Sequence, residues 1–329
     1  GSAAAAPRRT SRSATTLTSK RVSAALSLLA AATLAATSLA GCASGTPAPA
    51  TAPSEAAPAT PAAVAPAASS QFATYDGNRV RYESVGSGRE AIVLVHGWSG
   101  ATSVWRFQVP ELAKRARVIA LDLPGHGASD KPETAYSMDF FAGAVEAVML
   151  DAGVDRAVLV GHSMGTPIIR RFLHHYPDKT LALVAVDGAL QNLYSGMLDP
   201  LIVQLRQPGY KDLAGKFVAA MFPNPGTEAL RDATLATTLA TPQHVLVGSF
   251  EGMRNPEIWK DDPIGVPLLV LNAKSPYWTP EYVVYVRKLA PQVDYRVIEG
   301  PGHFLMLEKP QEFNAALLDF LARQKLLGV

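Results

Sequence analysis

Cysteine is nearly absent from this chain, which has only Cys42 among its 329 residues. A single thiol cannot form an internal disulfide, so this is not a small disulfide-stapled domain. Charge is also scarce, because 18% of the residues are charged and the net charge is only +2. That balance provides no broad field to attract nucleic acid or acidic partners. Beyond residue 70 there is no repeat, no run of like charge and no cluster of metal-ligating side chains. We therefore expect no metal, no cofactor and no nucleic-acid partner.

Apolar residues make up 48% of the chain but are unevenly distributed. Residues 43–70 are rich in Ala and Pro without a hydrophobic period, which is typical of an extended, semi-rigid linker. At about 3.1 Å per residue, such a linker reaches tens of Å. Residues 71–329 contain the large apolar side chains and are predicted to form one globular domain.

Residues 1–42 have the order of a signal peptide for export. An uncharged apolar run at 22–40 follows a basic region and ends in LAGC at 39–42. The basic residues are Arg8, Arg9, Arg12, Lys20 and Arg21. The ending resembles the bacterial lipoprotein signal, in which the chain is cut before the cysteine and that cysteine receives lipid. We predict lipidation at Cys42 and attachment to a bacterial membrane, in the periplasm or at the cell surface. An uncleaved anchor is the alternative, because about twenty apolar residues can span a bilayer.

Short apolar runs alternate with helical patterns beyond residue 71 and predict a sheet. Two alternating runs around the Asp76-Gly77-Asn78 turn predict a hairpin. Continuous apolar runs, typical of strands covered on both faces, follow at 91–95, 118–121, 157–160, 181–186, 267–271 and 295–298. Segments 105–115 and 140–150 have helical spacing. The pattern predicts an α/β fold with a mostly parallel eight-stranded sheet flanked by helices.

Roughly eighty residues separate the strand ending at Val186 from the run starting at Pro267, far more than usually join such elements. Segments 213–221 and 228–239 have helical spacing and are separated by prolines. We predict a helical lid over approximately 189–262, inserted after the sixth strand. Its apolar side chains suggest an apolar pocket: Met197, Leu198, Phe217, Met221, Phe222 and Phe250.

The pentapeptide GHSMG at 161–165 is a candidate nucleophile turn centred on Ser163. A serine hydroxyl is a poor nucleophile at neutral pH and needs a neighbouring base and donors for the oxyanion. Gly161 and Gly165 permit a sharp turn from an apolar strand into a helix, whose N-terminus favours negative charge. The pattern therefore predicts Ser163 as a nucleophile.

Four motifs in this order resemble the α/β-hydrolase family: HGW at 96–98, DLPGHG at 122–127, GHSMG at 161–165 and GHF at 302–304. The resemblance extends from Phe72 to the C-terminus. It implies that the backbone amides of Trp98 and Met164 form an oxyanion hole. It also implies that His303 takes the proton of Ser163 and returns it to the leaving group. The remaining histidines of these motifs and of the following helix are expected to be structural: His96, His126, His162, His174 and His175.

The acid of the triad departs from the commonest family pattern. Many relatives have an Asp in a Gly-x-x-Asp-Pro phrase after the strand at 267–271, but this chain has Ser275 at that position. Asp261 and Asp262 precede that strand, so they are expected at the edge of the sheet remote from Ser163. Asp187 closes the neighbouring strand at the same edge, and strands lie only about 4.8 Å apart. We predict Asp187 as the acid, with Glu281 or no acid as the alternatives.

The combination predicts a serine hydrolase that cleaves carboxylic esters or lactones through an acyl-enzyme. Medium acyl or aromatic esters fit the apolar lid. Dehalogenases and epoxide hydrolases share the fold but use Asp at the position of Ser163. Cofactor-free haloperoxidase and carbon-carbon bond hydrolase chemistry stay open, because both use a serine. A lipid-anchored binding protein without turnover also stays open, because of Ser275.

Overall fold

A computed structural model describes residues 69–329, and eight strands form its single sheet. The strands are β1 (Ser69–Tyr75), β2 (Asn78–Val85), β3 (Glu90–Val95), β4 (Arg117–Leu121), β5 (Arg156–His162), β6 (Thr180–Val186), β7 (Leu268–Ala273) and β8 (Asp294–Ile298). Their order across the sheet is β1-β2-β4-β3-β5-β6-β7-β8. The predicted α/β class and eight-stranded sheet are confirmed.

The β1–β2 hairpin joins β4 in antiparallel pairing, and all other neighbours are parallel. In β3, Ala91 to Val95 are fully buried, as expected for a central strand with both faces covered. The parallel strands bring their carboxyl ends to one edge of the sheet. Val95 pairs with Gly161, and Val186 pairs with both His162 and Leu271, so the segments after β3, β5, β6 and β7 all begin at that edge.

Ten helices and three short 3₁₀ turns accompany this sheet within residues 69–329. The helices are α1 (Val109–Leu112), α2 (Met138–Asp151), α3 (Gly165–His175), α4 (Leu198–Leu205), α5 (Tyr210–Ala219), α6 (Glu228–Ala240), α7 (Gln243–Met253), α8 (Pro280–Leu289), α9 (Leu305–Glu308) and α10 (Pro310–Arg323). The 3₁₀ turns are at Thr102–Trp105, Pro177–Lys179 and Pro256–Trp259. No helix of the described chain combines the length and the apolar character that crossing a membrane requires.

Helices α4 to α7 lie between β6 and β7 and are called the helical insertion below. Its α5 and α6 follow the helical spacing of the sequence closely. Helix α4 lies within the predicted insertion and has Pro200 in its first turn. Proline is tolerated there, since the first N–H groups of a helix have no partner within it.

The helix predicted over 105–115 is wrong in extent. The chain instead forms the 3₁₀ turn Thr102–Trp105 and the single turn of α1. Pro110 accounts for the difference, because it has no N–H to donate to a carbonyl one turn earlier, so a helix starting at Trp105 cannot run unbroken through it. Pro110 lies in the first turn of α1, where proline is compatible with a helix.

Candidate active site

Ser163 occupies a sharp turn between the end of β5 and the start of α3. Its backbone has a φ of +54°, a left-handed conformation that is rare for residues other than glycine. The Ser163 N–H donates to the carbonyl oxygen of Val186 at 2.9 Å, which fixes the turn to β6. Backbone strain of this kind costs about 1–3 kcal/mol and persists only where the surroundings impose it.

Glycine on both sides of Ser163 allows the turn to close. A β-carbon on Gly161 would lie 2.3 Å from the carbonyl oxygen of Gly165. A β-carbon on Gly165 would lie 2.5 Å from the carbonyl oxygen of Val95 on β3. Both distances are far below van der Waals contact. The close approach of three backbone segments therefore requires glycine at both positions.

A cavity of about 120 Å³ opens beside Ser163. Its lining includes every predicted site residue within the described chain: Trp98, Ser163, Met164, Asp187 and His303. Cys42 lies outside the described residues. Ser163 is half-buried, and its hydroxyl makes no hydrogen bond within residues 69–329. The Ser163 hydroxyl thus lies unbonded in the same cavity as His303. Hydrogen bonds between catalytic groups are often long until a substrate binds.

His303 and Asp187 form a close pair. The Nδ1–H of His303 donates to Oδ2 of Asp187 at 2.6 Å, so Nε2 is the nitrogen left for a proton from a substrate or a nucleophile. The other oxygen, Oδ1, accepts from the Ala273 N–H at 2.9 Å and from the Trp278 indole N–H at 3.1 Å. Asp187 is 8% exposed and has a φ of +41°, so its carboxylate is buried, held by three donors and set on strained backbone.

The other candidate carboxylates, Glu281 and Asp261, are not among the cavity-lining residues, and Ser275 has no carboxylate. Glu281 is exposed in the first turn of α8, and hydrogen bonds there lower the pKa of its carboxyl. The hydroxyl of Ser275 accepts from the Tyr277 N–H at 3.1 Å. Asp261 accepts from the hydroxyl of Tyr285 at 2.7 Å. Of the carboxylates in the described chain, Asp187 is the one that bonds to the His303 ring.

The amides of Trp98 and Met164 are unengaged. Neither N–H donates to any group within residues 69–329, although both residues are buried. Buried backbone donors are almost always paired. Because both residues line the cavity next to Ser163, their N–H groups are suited to a negatively charged oxygen that only a substrate would bring.

His96 of the HGW motif and His126 of the DLPGHG motif stabilise the turns that contain them. His96 accepts from the Leu123 N–H at 3.0 Å and pairs with the carbonyl of Gly97 at 2.8 Å. His126 pairs with the carbonyl of Pro124 at 3.0 Å. Burial lowers the pKa of His96 and lowers that of His126 to about 3, so both imidazoles are neutral at pH 7. This geometry agrees with the structural role expected for both.

His162 contacts the predicted base directly. Its Nε2–H donates to the backbone carbonyl of His303 at 3.0 Å, and the two rings lie 4.6 Å apart. Burial, and next the nearby His303, lower the pKa of His162 well below its ordinary value. A neutral His162 therefore supports the backbone of His303 without competing for protons.

The helical insertion forms one wall of the cavity. The Trp98 ring stacks on Phe250 of α7 with centroids 4.5 Å apart and meets Phe217 of α5 edge-on at 5.6 Å. Its indole N–H donates to the carbonyl of Leu246 at 2.9 Å. The insertion thus fixes the side chain of Trp98 in the wall of the cavity.

Three residues near the pair were missed by sequence reasoning: Asn224, Trp278 and Glu308. Trp278 donates to Asp187, while Asn224 and Glu308 hold the loop that carries His303. The Asn224–Glu308 contact spans 84 residues of sequence. Only the position of Glu308, five residues after His303, was a signal that sequence reading could have used.

Comparisons with known proteins identify the family of the fold. The α/β hydrolase fold family matches residues 90–230. A hydrolase from Paraburkholderia phymatum, named as acting on 2-hydroxy-6-oxononadienedioate and 2-hydroxy-6-oxononatrienedioate, is 30% identical over 74% of this chain and 91% of its own.

Solved structures of two hydrolytic enzymes share the fold. An enzyme described as degrading N-acyl homoserine lactones is 29% identical, with a TM-score of 0.64 over 76% of this chain and all of its own. The enol-lactonase from Burkholderia xenovorans LB400 has a TM-score of 0.66 over 77% of this chain and all of its own, and its 24% identity supports the fold alone. The match to 91% of the Paraburkholderia phymatum hydrolase, the sheet order and the Ser163 turn lead to one conclusion: the chain belongs to the α/β-hydrolase family.

Proposed function

We propose that the chain hydrolyses neutral carboxylic esters or lactones of modest size through an acyl-enzyme on Ser163. The observation that carries the proposal is the bond of 2.6 Å between His303 and the buried Asp187, in one cavity with the unengaged hydroxyl of Ser163. In this scheme His303 is the base, Asp187 the acid, and the amides of Trp98 and Met164 the oxyanion hole.

The chemistry follows from these positions. The Ser163 oxygen attacks the acyl carbon while Nε2 of His303 takes its proton, and Asp187 stabilises the imidazolium that forms. The oxyanion accepts from the amides of Trp98 and Met164. Collapse of the tetrahedral intermediate breaks the bond to the alcohol oxygen, which takes the proton from Nε2 of His303 as it leaves. Water then attacks the acyl-enzyme while His303 takes its proton, and collapse returns that proton to the Ser163 oxygen, which releases the carboxylic acid product and regenerates free Ser163.

The size and charge of the cavity indicate the acyl part. Its volume of about 120 Å³ is close to the ~150 Å³ of a cavity that binds benzene, so a medium acyl chain or an aromatic ring would fill it. Lys274 is the only Lys or Arg among its lining residues, and its ammonium already pairs with Glu299 at 2.8 Å. A substrate carboxylate would therefore be buried without a free cation.

That charge pattern separates two candidate reactions. The similar hydrolase from Paraburkholderia phymatum is named for dienedioate substrates, which carry carboxylates. An unpaired carboxylate in an apolar cavity is strongly disfavoured. The cavity thus favours neutral ester or lactone hydrolysis over carbon-carbon bond cleavage of such acids, and this reaction remains the second candidate because of the 30% identity.

A fluorophosphonate probe tests the proposal, because it reacts with an activated serine and not with an ordinary one. We expect one label per chain, mapped to Ser163 by mass spectrometry and lost in Ser163→Ala. Ser103→Ala, which removes an exposed hydroxyl, should label like the wild type. No labelling of the folded protein would favour the binding protein without turnover.

Nitrophenyl esters of graded length should then show turnover. A neutral butyrate ester should exceed the hemisuccinate, which adds a carboxylate, by about tenfold or more in kcat/KM. Labelling without ester turnover, together with cleavage of a vinylogous diketone, would favour the carbon-carbon bond hydrolase.

We also propose export and lipidation of the chain at Cys42, on the basis of residues 8–42 alone. Expressed in a bacterium, the full chain should incorporate an alkyne fatty acid, and Cys42→Ala should abolish the incorporation. Because Cys42 is the only cysteine, no other thiol can carry the lipid. Membrane-bound protein without incorporated lipid would instead support the uncleaved anchor.

A further inference from the structure

The loop at 299–304, called the His303 loop, is fastened to the helical insertion. The His303 N–H donates to the carbonyl oxygen of Met221 at 3.2 Å. A β-carbon on Gly302 would lie 2.4 Å from that same oxygen, so the two backbones are in close contact. Beside them, the ring of Phe222 stacks on that of Phe304 with centroids 4.7 Å apart. The position of the His303 backbone therefore depends on the segment between α5 and α6.

Asn224 and Glu308 complete this connection. Glu308 Oε1 accepts from the Gly302 N–H at 3.0 Å, and Oε2 accepts from the Asn224 side-chain amide at 2.7 Å. The same amide donates to the carbonyl of Gly300 at 2.8 Å. One carboxylate and one amide thus hold the two glycines that precede His303. The backbone carbonyl of Asn224 accepts from the Thr227 hydroxyl at 2.6 Å, which holds the Asn224 backbone in the insertion.

We infer that Glu308 and Asn224 are positioning residues, which set the His303 loop so that the imidazole stays aligned between Asp187 and Ser163. The inference rests on the proposed function, since alignment matters only if His303 is the base. It goes beyond that proposal because neither residue touches the substrate cavity or the His303 ring.

The charge of Glu308 supports this role. Burial raises the pKa of its carboxyl, while the Asn224 and Gly302 donors and the nearby His303 oppose the rise. A carboxylate kept in a partly buried place needs such donors. The donors are two of the contacts that shape the loop, so the carboxylate and the loop conformation stabilise each other.

The replacement Glu308→Gln removes one of these bonds whichever way the side chains turn. If the glutamine oxygen keeps the Gly302 N–H, its NH₂ group faces the NH₂ group of Asn224. If Asn224 flips to accept that proton, it can no longer donate to Gly300. In either case the network that joins Gly300 and Gly302 to Asn224 and residue 308 has one bond fewer.

The test combines kinetics with NMR on the full-length protein. Glu308→Gln and Asn224→Ala should each lower kcat/KM for a neutral nitrophenyl ester by about tenfold to hundredfold, mainly through kcat, because small displacements of a catalytic group have effects of that size. The double variant should lose little more than Asn224→Ala alone, because that replacement already removes the amide that Glu308 and Gly300 share. Glu312→Gln, which alters an exposed glutamate of α10, should match the wild type.

The low-field proton signal of the His303–Asp187 bond reports alignment without any turnover. It should be sharp in the wild type and in Glu312→Gln, and broadened or lost in both test variants at temperatures where they remain folded. A sharp signal with wild-type kcat in Glu308→Gln would overturn the inference. If the wild type hydrolyses no ester, the proposed function fails, while the signal still decides whether Glu308 and Asn224 align the ring.

Discussion

Replacing Asp187 with asparagine should lower kcat by about 10⁴-fold while the chain stays folded. The reason lies in the donors around the carboxylate. Oδ1 accepts from the N–H groups of Ala273 and Trp278, so the asparagine must keep its oxygen there. Its NH₂ group then faces Nδ1 of His303 and must donate to it. The imidazole is forced to carry its proton on Nε2, where it cannot accept the proton of Ser163.

Steady-state kinetics with a nitrophenyl ester and a thermal unfolding curve check this expectation. Asp262→Asn is the matched control, because it alters an exposed aspartate before β7 and should leave kcat unchanged. A near-normal kcat in Asp187→Asn, with unfolding unchanged, would exclude Asp187 as the acid. Glu281→Gln would then be the next variant to measure.

The position of Asp187 could be anticipated because it depends on strand order and strand ends alone. Continuous apolar runs marked β6 and β7, and parallel neighbours end at one edge of a sheet. A residue directly after β6 must therefore lie close to the segment after β7. The same logic placed Ser163 and Trp98 at that edge, since β3 and β5 end there too.

What surrounds these residues could not be anticipated, because it depends on how the insertion packs. The Trp98–Phe250 stack and the Asn224–Glu308 bond join residues far apart in sequence. No periodicity encodes such contacts. The Trp278 bond to Asp187 arises from a turn between β7 and α8 whose conformation the local sequence does not specify. The sequence predicts the chemistry at the sheet edge, and tertiary packing decides how firmly it is held.

Replacing Gly161 with alanine should destabilise the protein by about 3 kcal/mol. The added β-carbon would meet backbone atoms of Gly165 and Thr166 at 2.3 to 2.9 Å, and backbone cannot move aside as a side chain can. The start of α3 would have to shift, and Ser163 with it. We therefore also expect kcat/KM to fall by about a hundredfold.

Gly215→Ala is a control with the opposite expected sign. Gly215 lies within α5, and a β-carbon there would meet only a methyl group of Leu239 at 3.7 Å, an ordinary contact. Alanine in a helix interior is more stable than glycine by about 0.5–1 kcal/mol, so this variant should unfold at higher urea concentration than the wild type. If Gly161→Ala unfolded at the wild-type urea concentration, the Ser163 turn could not have the tight backbone contacts described. If it lost stability but kept full activity, the exact position of the turn would not limit catalysis, and the strain at Ser163 would serve the fold alone.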